Sequence, residues 1–485
     1  MTPRRYRLAT LALGACGAAA ALGAWLLVFP HLSTNHDEAV YLQQAAMLLD
    51  GDLFLRPPLE GVFRPWFFVE SGRRLYPKYA PVPAAMFALG DLFGHYRLAL
   101  LAVAGGYVAL TVAVTRELFD RRTGVLAGAF VLCSPLFLVQ SGLFLAYLPT
   151  ALLNAAFAFA YLRADRIGSR RWAAAAGAAV GLAFFSRPFT AVLFAAPFVV
   201  HACWTLWRAP RTAFPRQAMT AALGLAGVVL ALAYNAATTG SPLVFPYQAF
   251  APLDGIGFGT RRLLGHEVQY TPSLALRANA EVLEQYATEW VAGGAAGTAL
   301  AAAGVWTAAR RGIDARRAAV AGVFATVAVG NVYFWGNLNI LGAFGTADDG
   351  FISVLGPHYH LDLLLPTAAF GARGAERVAS DVWRLAASAA DPRAARALAA
   401  AVLLLGAATF GAVTVGEVAE PVAENRDVTA SYERAYAPFE TGPPAESLVL
   451  LPTPHGPWLN HPFQELRNDP GFDGDVLYAL DTRPF

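Results

Sequence analysis

The sequence predicts an all-α polytopic membrane protein, and three observations predict it. Of 485 residues, 56% are hydrophobic and only 14% charged, whereas soluble domains carry about 25% charged residues. Apolar runs of helix-spanning length, about 17–22 residues, recur along most of the chain. Clusters of arginine fall between them at regular places. Alternating patterns of strand length are absent, so the spans are expected to be helices rather than barrel strands.

The apolar runs give about eleven spans, near residues 8–29, 96–115, 123–141, 145–162, 173–186, 188–207, 218–237, 290–309, 318–341, 357–372 and 397–416. Six basic segments punctuate them: Arg4 to Arg7, Arg116 to Arg122, Arg163 to Arg171, Arg208 to Arg216, Arg310 to Arg317 and Arg373 to Arg396. They hold 22 of the 36 Lys and Arg but 7 of the 34 Asp and Glu. By the positive-inside rule they mark the cytoplasmic side, with the N-terminus inside and the C-terminal region outside. The net charge of +2 hides this asymmetry, and no nucleic-acid partner is expected.

The organisation that follows is a transmembrane domain over 1–416, containing a first outer loop at 30–95, and a small extracytoplasmic region over 417–485. That last region shows two strand-like runs, Ser447 to Leu451 and Asp475 to Leu480, separated by turns such as Asn468-Asp469-Pro470-Gly471. It is too small to be a robust independent domain, and is expected to be a small α/β element packed over the loops. Cys16, Cys133 and Cys203 lie in separate apolar runs and suggest neither a disulfide framework nor a metal site. Leu13-Gly14-Ala15-Cys16 resembles a lipoprotein cleavage box, but the apolar run continues through Phe29, which favours an uncleaved span.

The first loop begins with adjacent acids, Asp37 and Glu38, heading a stretch to Leu49 that reads as an amphipathic interfacial helix. Paired carboxylates at a membrane surface need a reason; they can cap the helix, with Asn35 or Asp37 near its N-cap, or carry chemistry. Val69 to Leu75 reads as a hairpin. Tyr76-Pro77-Lys78-Tyr79-Ala80-Pro81 then leads into Ala80 to Gly94, too short and Pro-interrupted to span, and so re-entrant or interfacial. Lys78 is the only lysine in the chain, against 35 arginines.

Further along come Arg116-Glu117-Leu118-Phe119-Asp120-Arg121-Arg122-Thr123-Gly124 with Ser134-Pro135, Ser186-Arg187-Pro188, Tyr234-Asn235 with Thr239-Gly240-Ser241-Pro242, and Gly356-Pro357-His358-Tyr359-His360-Leu361-Asp362. In order and topology these motifs, over residues 1 to about 372, make the chain resemble the GT-C superfamily of membrane glycosyltransferases. The nearer resemblance is to the branch of protein O-mannosyltransferases and the aminoarabinose transferase of lipid A.

That resemblance implies a GT-C-like fold and an enzyme that moves a hexose or pentose from a polyprenyl-phosphate donor to a lipid, glycan or protein acceptor outside the cytoplasm. It implies Asp37 as the general base and Glu38 as a supporting carboxylate. Lys78, Arg187 and Arg64 become candidates for the donor phosphate, which needs cations as it leaves; a snorkelling interfacial role is the alternative for Arg187. His358, His360, Asp362 and Tyr247 are candidates for the cavity or acceptor groove, with Tyr270, His266 and Glu267 beside them, although interface anchoring also explains the aromatics. His358 and His360, two apart, point to different faces if helical. A divalent cation, Mg or Mn, would fall to Asp37, Glu38 and Asp362, whereas Asp348-Asp349-Gly350 reads as an exposed turn. The competing reading is a transporter or flippase of lipid-linked sugars, which would place its charges at the midplane of two related halves; neither feature is evident.

Overall fold

The computed structural model describes every residue except 264, 311, 343–349, 390, 440, 453–463 and 482–485. The chain opens with α1 (Pro3–Leu27). The first long loop follows, holding α2 (Asp37–Leu49), the antiparallel hairpin β1 (Phe68–Ser71) and β2 (Arg74–Pro77), and α3 (Val82–Asp91). Next come α4 (Arg97–Leu118), α5 (Arg121–Leu132), α6 (Pro135–Gln140), α7 (Tyr147–Ile167), α8 (Arg170–Ser186), α9 (Pro188–Arg208) and α10 (Pro210–Thr239). A second loop carries α11 (Pro246–Phe250), the hairpin β3 (Gly259–Leu263) and β4 (His266–Tyr270), and α12 (Pro272–Gln285). Then follow α13 (Gly294–Arg310), α14 (Ala315–Gly330), α15 (Gly336–Leu341), α16 (Phe351–Leu355), α17 (Leu364–Ala387), α18 (Pro392–Tyr436) and the parallel pair β5 (Ser447–Leu451) and β6 (Val476–Leu480).

All eleven apolar runs are largely helical, but fewer are long enough to cross. Among the described residues five helices meet the length and apolarity of a span: α1, α4, α9, α10 and α18; α12 with α13, bent by 101° between them, makes a sixth if taken as one broken span. Proline and polar breaks account for the difference. The run at 123–141 stops at Ser134-Pro135, where proline opens α6, and the run at 318–341 breaks in a 3-10 turn at Asn331–Tyr333.

The last helix runs past residue 416. Although the apolar run ends there, α18 continues to Tyr436 through Glu417, Glu420, Glu424 and Arg426, residues that favour helix without being apolar. The two expected strands form, and they pair in parallel. Glu38 to Ala45 of α2, expected at the interface, are all buried, with Glu38 bonded to Phe144, Gln44 to Tyr234 of α10 and Gln43 to Asn468, so the helix is enclosed by protein.

The basic segments meet at one end of the bundle. Arg116, Arg163 and Arg166 reach Glu117 at 3.9, 3.3 and 2.7 Å, and Arg216 and Arg316 reach Asp165 at 3.0 and 2.7 Å. Arg121 donates to the Met1 carbonyl and Thr123 to Glu376. Since α1 and α4 both have their arginine ends here, the first loop lies at the other end.

Small residues let the helices approach. Gly177 and Gly181 of α8 face Gly224 and Gly227 of α10, and a methyl group at Gly227 would overlap the Gly181 backbone. Because backbone cannot yield as a side chain can, Gly227→Val is expected to cost about 3 kcal/mol, seen as a lower unfolding temperature in detergent.

Candidate active site

Asp37 is presented by a tight turn at the start of α2. Its N–H donates to Asn35 Oδ1 at 3.1 Å, and its carboxylate is held from two sides: Tyr79 donates its hydroxyl to Oδ2 at 2.6 Å, and Lys78 Nζ lies 3.0 Å from Oδ1. The Asp37 side chain is 18% exposed and Lys78 only 3%. The acid therefore keeps an exposed edge while its partner is sealed behind it.

Four rings seal Lys78. Its ammonium lies 3.7 Å from the Phe67 ring centre, 4.8 Å from Tyr79, 5.0 Å from Phe250 and 5.2 Å from Tyr247, a cage that favours cations. Burial pulls the Lys78 ammonium below its ordinary range, and Asp37 and then Asp254 push it back up. Phe67 reaches the cage from a left-handed backbone, φ 53°, uncommon for a side chain of its size. Arg64 braces that bend by donating to the Phe68 carbonyl at 3.2 Å, with Glu70 at 3.8 Å. Arg64, expected at the donor phosphate, thus shapes the cage from behind.

Arg187, between α8 and α9, forms the other pole. Its guanidinium lies over Tyr147 at 4.4 Å and near Tyr359 at 5.8 Å, and Nε donates to Thr190 at 3.4 Å. No carboxylate among the described residues comes within ion-pair distance of it. Held under rings, it does not extend outward as a snorkelling arginine would. Tyr41 and Tyr147 each lie within the electrostatic reach of both Asp37 and Arg187, so one group of tyrosines joins the two poles. Within it Tyr41 stacks on Tyr79 at 4.7 Å, Tyr79 on Tyr247 at 5.7 Å, and Tyr147 meets Tyr359 edge-on at 5.5 Å. Asp37, Tyr79, Tyr147, Arg187, Tyr247 and Tyr359 all keep partial exposure.

Tyr247 joins the wall as expected, through a partner not expected. Its hydroxyl bonds Asp254, which also accepts from Trp335 Nε1 at 2.6 Å; burial raises the Asp254 carboxyl, and these donors oppose the rise. Tyr270 instead packs in the core and donates to the Val332 and Phe334 carbonyls. His266 and Glu267 lie exposed on the β3-β4 hairpin.

Glu38 faces away from the cleft. It is 1% exposed and accepts Ser33 N–H and Phe144 N–H, each at 2.8 Å, besides the Ser33 hydroxyl. Burial raises its carboxyl above the usual range, with those donors opposing. It ties the first loop to the bundle. Glu38→Ala would orphan three donors and is expected to cost about 3 kcal/mol, measurable as lost thermal stability.

His358 stands against Tyr147 at 4.4 Å and Tyr359 at 4.5 Å, just behind the cleft wall. Two residues on in the same 3-10 turn, His360 bonds Asn279 at 3.2 Å, and Asp362 accepts twice from Asn154 Nδ2 at 3.1 Å; both are buried. The set Asp37, Glu38 and Asp362 does not fit a divalent cation. Each carboxylate is already held by its own partners, and among the described residues no group of three His, Cys, Asp or Glu is placed to hold a metal. Asp348 and Asp349 lie outside the described residues.

The architecture matches solved membrane transferases. Over 95% of this chain and 84% of the other, it superposes with a TM-score of 0.57 and 14% identity on ArnT from Cupriavidus metallidurans bound to undecaprenyl phosphate. The oligosaccharyltransferase of Archaeoglobus fulgidus in its apo form gives 0.51 at 15% identity, over 86% of this chain and 56% of that one. The chain shares the fold of these transferases. At such identities the likeness concerns the fold. Residues 447–485 match a domain of unknown function, DUF7846. Among curated proteins no match is found.

Within this fold, Phe67, Phe250, Asp254 and Tyr147 escaped the sequence reading, and Tyr41 and Tyr359 were given no role although they lie inside the stretch from Asp37 to Leu49 and the motif from Gly356 to Asp362. Asp254 had a signal as an acid following the apolar stretch Ala251-Pro252-Leu253. Phe67 and Phe250 look like any interfacial aromatic.

Proposed function

We propose that the chain is a glycosyltransferase that takes a sugar from a polyprenyl-phosphate donor and passes it to an acceptor nucleophile, with Asp37 as the base. The observation that carries this reading is a partly exposed carboxylate and an arginine that has no carboxylate at ion-pair distance among the described residues, joined by one group of tyrosines. The acceptor's O–H gives its proton to Asp37 as its oxygen bonds to the anomeric carbon. The bond from that carbon to the phosphate oxygen breaks, and its electron pair leaves with the lipid phosphate. Arg187 steadies the charge that develops there, in a site where few waters compete. Lys78, sealed among its four rings, holds Asp37 in place through their ion pair rather than touching the donor. The tyrosine walls exclude water, which would otherwise hydrolyse the donor.

The arginine-rich end is read as cytoplasmic, which places the cleft and the C-terminal region on the extracytoplasmic side. A reporter fused to the C-terminus should be active only outside the cytoplasm. The flippase alternative is not favoured, because the charges gather at one end of the bundle rather than at its middle. The test of function offers purified protein a panel of undecaprenyl-phosphate-linked hexoses and pentoses with candidate acceptors and follows released undecaprenyl phosphate. Release by the wild type and not by Asp37→Asn supports the reading; equal release by both refutes it.

A further inference from the structure

The C-terminal region grips the first loop at several places, among them His31 Nδ1 against the Glu465 carboxylate at 3.0 Å. Gln464, 1% exposed, donates its side-chain amide to the Ser33 carbonyl at 2.9 Å. Gln43 of α2 donates to the Asn468 carbonyl at 3.1 Å, and the Asn468 side chain bonds both the N–H and the carbonyl of Tyr478 in β6 at 2.8 Å. Leu480 N–H donates to the Val62 carbonyl at 2.9 Å.

The Gln464 grip reaches Asp37 through a short relay. Ser33 Oγ accepts the Asn35 N–H at 3.1 Å, and Asn35 Oδ1 accepts the Asp37 N–H at 3.1 Å, while Ser33 also holds Glu38. Ser33, Asn35, Glu38 and Gln464 are all buried. A tail serving only as a cover would need apolar contacts alone. Burying an amide against this one carbonyl is costly unless the bond is made, and what it fixes is the turn that sets the direction of Asp37.

We infer that the segment 464–480, within the region that matches the domain of unknown function, is a positioning element of the transfer reaction, and that Gln464 is a positioning residue for Asp37. The kinetic part of this inference rests on the glycosyltransferase reading; the mechanical part does not. A displacement of about 1 Å in a base is worth about 100-fold in rate.

The test uses the full-length protein with Gln464→Met, which keeps the volume and removes the donor. Amide exchange over residues 34–38 should speed about tenfold with the unfolding temperature little changed. With undecaprenyl-phosphate-linked sugars as donors, kcat should fall about 10- to 100-fold and donor KM stay within about twofold. A tail of merely structural role would leave the ratio of kcat to KM effects at wild-type values in the folded fraction. Wild-type exchange and wild-type kcat in Gln464→Met would overturn the inference even where Asp37→Asn is inactive. If the wild type turns over no donor, the function reading fails, and unchanged exchange would by itself sink the mechanical claim. Should Gln464→Met not fold, Gln43→Met at the Asn468 grip is read in the same way.

Discussion

Replacing Asp37 by Asn is expected to lower kcat about 1,000-fold while leaving undecaprenyl phosphate binding within about twofold of wild type. An amide cannot take the acceptor's proton, yet it keeps the shape that Tyr79 and Lys78 contact. The variant also carries a test of the Lys78 cage. Without the opposite charge 3.0 Å away, the buried ammonium is left uncompensated and falls further below its unfolded value of about 10.4. Between that lowered value and the unfolded one, the unfolded chain binds more protons than the folded chain, so the stability of Asp37→Asn should rise with pH through this window. Thermal unfolding measured from pH 6 to 10 should show that rise, and the additional change Lys78→Met should remove it.

Arg187→Met should weaken undecaprenyl phosphate binding about 100-fold, roughly 3 kcal/mol, as expected on deleting one side of a desolvated charge pair. Arg187→Lys should recover only part, because an ammonium lacks the guanidinium's planar fork. The free protein should respond in the opposite sense. With no carboxylate at ion-pair distance among the described residues, the guanidinium is offset only by tyrosine rings and one hydrogen bond, and its removal should raise the unfolding temperature. A residue kept at a cost to stability and needed for ligand is one placed there for the ligand. Equal binding by Arg187→Met, or a fall in both binding and stability, would speak against that role.

How far the sequence could be read depended on what each residue must do locally. Asp37, Lys78 and Arg187 stood out because charge at a membrane boundary is rare, and the structure gathers them at one end. The β1-β2 hairpin and the two tail strands were legible from turn residues and alternation. What failed was the sense of adjacency. Asp37 and Glu38 are neighbours in sequence but, one helical step apart, face a cleft and the bundle interior respectively. Lys78 looked like a free cation because nothing local reveals that Phe67 of the first loop and Tyr247 and Phe250 of α11 close around it. Helix α18 outruns its apolar stretch because hydropathy reports the lipid environment, whereas the helix continues on backbone propensity beyond it.

The most direct test of the central claim is a structure of the full-length protein with undecaprenyl phosphate bound. The cleft account predicts phosphate oxygens about 3 Å from the Arg187 guanidinium, Asp37 facing the phosphate across the space a sugar would fill, and Lys78 still inside its ring of aromatics. A phosphate seated away from Arg187, or one that draws Lys78 out of its cage and off Asp37, would contradict it.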